Sequence, residues 1–144
     1  MDHVVYLDSK SQELTLLASG KKSMILRGAM GRKLPYGKVF PSDVLFFIEN
    51  KGDGLVKAKA IVDQVLNSEK LTREESETLV DRHQSQLQLG DNLKSRFRGK
   101  RFLVLISLSE FKMIEPFRID RSAYSNMDDW LPVGEIDKVR YSHQ

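Results

Sequence analysis

The sequence predicts an α+β domain, mainly β: a small mixed barrel of five or six strands with two or three helices packed on it. Three observations predict this class. Short β-branched and aromatic runs recur along the chain, separated by Gly, Pro, Asn and Asp. Two capping-box spacings mark helix starts. Connections are short, with no internal repeat, low-complexity segment or long linker. A chain of 144 residues suits one domain, residues 1–144, with a barrel core over about 3–120 and a loose tail over 137–144.

Residues 3–7 are short and β-branched and read as the first strand. Ser9 and Gln12 have capping-box spacing, and Leu14, Leu17 and Ala18 give a helical stripe that Gly20 ends. Residues 23–26 form a second strand, which breaks at Gly28 and Gly31. The continuous apolar run 44–48 predicts a strand buried on both faces. The turn 50–54 joins it to Val56, Ala58, Ala60 and Val62, which alternate with polar residues as a half-buried strand does. Thr72 and Glu75 make the second capping box, opening a helix whose inward stripe runs through Leu79, Val80, His83, Leu87 and Leu89 to a stop at Gly90. Residues 102–108 are the strongest strand signal. Ser109 and Glu110 predict a tight connection into a pairing strand through Phe111, Met113 and Phe117. Trp130 is expected to fold back onto the core, because one indole buries a large apolar area.

Composition narrows the chemistry. The chain has no cysteine, which removes thiol catalysis, disulfides and thiolate metal sites. His3, His83 and His143 are far apart, and no spacing resembles a zinc site, so no metal and no cofactor are expected. Neither Gly28-Ala29-Met30-Gly31 nor Gly20-Lys21-Lys22-Ser23 completes a phosphate-binding loop. No leader-like segment and no membrane-spanning run is read, and a cytoplasmic location without membrane partners is the expectation. The net charge of +3 is mild, so its distribution carries the information.

Positive charge gathers in two places. Arg27, Arg32, Lys33 and Lys38 follow the second strand in a glycine-jointed loop that also holds Tyr36. Lys94, Arg96, Arg98, Lys100 and Arg101 form a short basic tract without an acid, interleaved with Phe97 and Phe102. Cations could meet phosphates there, and Tyr36 could stack on a base. An ordinary solvated loop and a helix end favoured by its dipole are the plain alternatives. The acids Glu74, Glu75 and Glu77 are accounted for by the start of a helix.

Gly20, Lys22 and Arg27 fall at the first, third and eighth positions of the pattern Gly-x-Lys-x-x-Glu-x-Arg, and Ile25 stands where that pattern has Glu. With Ser42-Asp43 before an apolar strand and the alternating stretch 56–60, the chain resembles the ASCH domain of the PUA-like superfamily over about residues 3–115. The resemblance implies a barrel with a cleft beside the signature loop, and RNA binding. Some similar proteins hydrolyse a modified nucleoside or cleave RNA. For that chemistry Lys22 would be the catalytic group, but Ile25 supplies neither a hydroxyl nor an acid, so an enzyme is not the favoured reading and no catalytic residue is assigned.

The expectation is an RNA-binding module that holds single-stranded or structured RNA, or a nucleotide-like ligand, with Lys22, Arg27, Arg32, Lys33, Tyr36, Lys38, Arg96, Arg98 and Lys100. A small hydrolase centred on Lys22 is the first alternative. A protein-interaction domain using apolar residues near Trp130 or the Thr72 helix is the second.

Overall fold

Period-two burial builds three clusters on one curled sheet. The structure is a computed structural model and describes residues 1–125 and 128–141. Its strands are β1 (Asp2–Leu7), β2 (Met24–Ala29), β3 (Val44–Glu49), β4 (Leu55–Asn67), β5 (Phe102–Arg118) and β6 (Trp130–Gly134). Its helices are α1 (Glu13–Ser19), α2 (Arg73–Arg82), α3 (Gln84–Leu87) and α4 (Asp91–Phe97). The sheet order is β2-β5-β4-β3-β1-β6. β1 and β3 run parallel and the other neighbours antiparallel, which gives a mixed, mainly β half-barrel.

Alternate side chains of each strand point to opposite faces. Val5, Leu7, Ile25, Leu45, Phe47, Ala58, Ala60, Val104, Ile106 and Trp130 fill the concave side, where Leu14 and Leu17 of α1 join them. Met24, Leu26, Leu103 and Leu105, on the reverse of β2 and β5, pack under Val80, Leu87, Leu93 and Phe97 from the other helices and Leu89 from the link between α3 and α4. Phe46, Ile48 and Val56 pack with Leu131, Val133 and Ile136 in the third cluster. The run 44–48 is therefore buried on both faces, as its unbroken apolar pattern predicts.

Several boundaries differ from the sequence reading. α1 begins at Glu13 after Gln12 in a left-handed conformation, because Asp8 and Ser9 use their acceptors in a preceding turn: Ser11 N–H donates to Asp8 Oδ2 and Gln12 N–H to the Ser9 carbonyl. Gly20 caps the end of α1 with φ 80°, as expected. The capping box of Thr72 and Glu75 is fully formed. The helix it opens stops at Arg82, however, and Gly90 is the N-cap of α4 rather than a terminator. Four helices result among the described residues, against two or three expected.

Ser109 and Glu110 do not turn the chain. β5 runs on as one strand with Glu110 at φ 50°, and its register against β4 slips there, so the turn chemistry encodes a bulge. The unbroken β4 supplies partners on both sides of it. Beyond β6, a 3-10 turn (Ile136–Lys138) and a bridge between Ile119 and Arg140 tie the chain down as far as residue 140. The end of the expected tail, with His143, lies outside the described residues.

The sheet curls into a half-barrel whose edges, β2 and β6, do not pair with each other. The seam is spanned instead by Arg27 of β2. Its Nη2 donates to the Tyr6 carbonyl of β1 at 2.7 Å and its Nη1 to the Leu26 carbonyl at 2.9 Å. No helix among the described residues is long and apolar enough to cross a membrane.

Candidate nucleic-acid interface

Ile25 and Arg27 lie on the same face of β2, two residues apart. Ile25 is fully buried in the concave core, so a carboxylate at this position would sit in an apolar interior. Arg27 reaches the mouth of the half-barrel, with its guanidinium 5.8 Å from the Trp130 ring centroid. Only 7% of the residue is exposed, and its Nε makes no hydrogen bond. The charge group facing it is Asp129, whose Oδ2 lies 4.0 Å from Nε. The same carboxylate oxygen is 3.6 Å from Nη2 of Arg96.

Arg27, Lys33, Tyr36, Arg96, Lys100 and Asp129 line one open cleft of about 320 Å³. Its walls come from the end of β2, the loop after it, the last turn of α4 and the start of β5, with Phe97 and Phe102 as the aromatic part. Gly28 forms part of the lining. A Cβ there would fall 2.8 Å from Cδ2 of the buried Leu103 and 3.4 Å from Cβ of Lys100, so only glycine lets β2 lie this close without moving a core side chain.

The loop after β2 is pinned rather than free. The Tyr36 hydroxyl donates to the Ser68 carbonyl, and Gly37 N–H donates to Asn67 Oδ1 at 3.0 Å. These bonds hold the Tyr36 ring edge-on to Phe102, with centroids 5.6 Å apart. The Arg32 guanidinium lies over both rings, 5.8 Å from Tyr36 and 5.6 Å from Phe102. Arg32 therefore covers part of this aromatic wall.

The remaining sequence candidates lie elsewhere. Lys22 is 2% exposed and does not line the cleft. Its Nζ donates to the Leu87 carbonyl and sits 3.4 Å from Oε2 of Glu13, itself buried. Burial pushes the Lys22 ammonium below the usual lysine range, and the Glu13 carboxylate opposes that shift. Arg98 is tied to Asp81 through Nε at 3.0 Å and Nη2 at 2.9 Å, and to Glu77 through Nη1 at 2.9 Å. Lys38 is exposed and outside the lining. Lys22 and Arg27, close in sequence, therefore do not share an open cleft.

Sequence reasoning missed Asp129 and Glu13. Asp129 follows a turn-rich stretch and carries no motif; its place at the cleft is fixed by Tyr6 N–H donating to its backbone carbonyl at 3.0 Å. Glu13 looks like an ordinary first-turn acid, yet it supplies the carboxylate beside Lys22. Trp130 is 1% exposed, so it offers no docking surface. Among the described residues no His, Asp and Glu cluster could hold a metal ion.

No family model and no curated protein matches the sequence. The fold does have solved counterparts. The crystal structure of ASCH from Zymomonas mobilis is 17% identical, with a TM-score of 0.68 over 95% of this chain and 91% of that one. The crystal structure of a tyrosine-to-phenylalanine mutant of that protein, ZmASCH, is 16% identical, with a TM-score of 0.70 over 95% of this chain and 93% of that one. The likeness shows the ASCH, PUA-like fold that the signature residues led us to expect.

Proposed function

We propose that this ASCH-type half-barrel is an RNA-binding module, with the cleft between β2, its following loop, α4 and β5 as the binding site. One observation carries the reading. Arg27, Lys33, Arg96 and Lys100, brought from two distant stretches of sequence, converge with the partly exposed Tyr36 and Phe102 on one cavity of about 320 Å³. Cations that meet phosphates give affinity and register, while aromatic faces accept unstacked bases. Base–aromatic stacking contributes roughly 1–3 kcal/mol per base, which outweighs a solvated ion pair at the rim. The cleft is an indentation rather than a flat sheet, which favours single-stranded or looped RNA whose bases can be splayed out.

Titration of a labelled single-stranded RNA at several salt concentrations tests this. Log affinity is expected to fall linearly with log salt. The double variant Lys33→Ala/Lys100→Ala is expected to weaken binding and to flatten the slope by about 0.7 for each phosphate it no longer neutralises. No binding at low salt, or a variant that binds as the parent does, overturns the reading.

A further inference from the structure

We infer that the inner end of the cleft is a subsite for one terminal phosphate, a phosphomonoester at the end of an RNA or on a nucleotide, and that Asp129 holds its place in the free protein. The inference rests on the proposed RNA-binding role of the cleft and adds which part of the ligand goes where.

Two guanidiniums, Arg27 and Arg96, converge on a single oxygen, Oδ2 of Asp129. The approach is loose: 4.0 Å from Arg27 and 3.6 Å from Arg96, beyond the 2.7–2.9 Å of a charge-assisted hydrogen bond. Arg27 is buried, and two of its three nitrogens are committed to the carbonyls of Leu26 and Tyr6. Its Nε is buried without a hydrogen-bond partner. A buried donor left open costs free energy, and an anion that sits closer than Asp129 does recovers it. The Asp129 side chain is 43% exposed, so it can swing into solvent while its carbonyl stays bonded to Tyr6.

The charge balance selects the ligand. Lys33 and Lys100 line the same cavity, so a carboxylate neutralises only part of the positive charge around it. An internal phosphodiester carries one negative charge. A terminal phosphomonoester carries about −1.5 to −2 near neutral pH and presents three oxygens, enough to serve Arg27 Nε and the Arg96 fork together.

The test compares a short oligouridylate carrying a 5′-phosphate, the same oligomer carrying a 3′-phosphate, and the oligomer with hydroxyls at both ends. One phosphorylated form is expected to bind the parent protein at least about tenfold tighter than the hydroxyl form, the worth of one charge-assisted hydrogen bond, and which form it is identifies the end recognised. Arg96→Gln should erase that preference. Asp129→Asn should tighten binding of the preferred form, since a neutral amide no longer competes as an anion. Equal binding of all three oligomers overturns the subsite and leaves RNA binding standing; no binding of any overturns both. A preference that survives Arg96→Gln, or weaker binding by Asp129→Asn, also overturns the inference, the latter because the carboxylate would then be touching the ligand itself.

Discussion

Nζ of Lys22 lies 3.4 Å from Oε2 of Glu13, and neither side chain is more than 3% exposed. The lysine of the signature is thus half of an interior ion pair that ties the link between α1 and β2 back to the first turn of α1. Its partner comes from a position the signature does not contain. Glu13 Oε1 also accepts from Asp8 N–H at 2.9 Å, and Lys22 reaches the Leu87 carbonyl, so the pair ties three segments together.

A structural role for this pair makes a definite prediction. Lys22→Ala leaves a buried carboxylate without its counter-ion and should cost about 3–5 kcal/mol in urea unfolding. Lys22→Met combined with Glu13→Gln removes both charges and should recover most of that loss. RNA affinity of the folded double variant should match the parent, because Lys22 does not line the cleft. A Lys22→Ala protein as stable as the parent contradicts this account.

The basic tract divides between two faces, and the division can be read in binding. Arg96 lines the cleft, whereas Arg98 is held by Asp81 and Glu77 on α2. Arg96→Ala should weaken RNA binding and flatten its salt dependence, while Arg98→Ala should leave both unchanged. Titration of the two variants under the same salt series decides it; equal losses would mean that the bound strand extends over α2.

Much of the fold was legible because burial has a period. The unbroken apolar run of β3, the alternation in β4 and the Thr72 capping box each have a local cause that no distant neighbour alters. The bulge at Glu110 was not legible, since a left-handed residue inside a strand uses the same chemistry as a turn, and only the continuity of β4 distinguishes them. Half of the cleft was visible as charge. Which cations share it was not: Lys22 and Arg27 are near neighbours in sequence, but one is enclosed beside α1 and the other spans the seam to Tyr6. Asp129 carried no signal, because its role depends on two guanidiniums converging on it from β2 and α4.

The last prediction concerns acid. Trp130 Nε1 donates to His3 Nδ1 at 3.0 Å, and His3 Nε2 is 2.9 Å from Asp43 Oδ2. Indole N–H is a donor only, so Nδ1 is bare and the proton sits on Nε2, facing the carboxylate. His3 is completely buried, and this burial holds its pKa below the usual 6.5; the Asp43 carboxylate opposes that shift without cancelling it. A second proton would also set an imidazole N–H against an indole N–H. The unfolded chain takes up that proton near pH 6.5, and the folded protein only at lower pH. Between the two values the unfolded state binds more protons, so stability rises with pH. Urea midpoints should therefore be flat above about pH 7 and fall below about 6.5. Asp43, whose pKa is lowered by its hydrogen bonds to His3 and to Phe40 N–H against the cost of burial, adds its own loss only below about 3.8. His3→Gln should remove the upper step and leave the lower one; a parent protein whose midpoint stays constant from about pH 8 to about pH 5 would refute the neutral, doubly bonded imidazole.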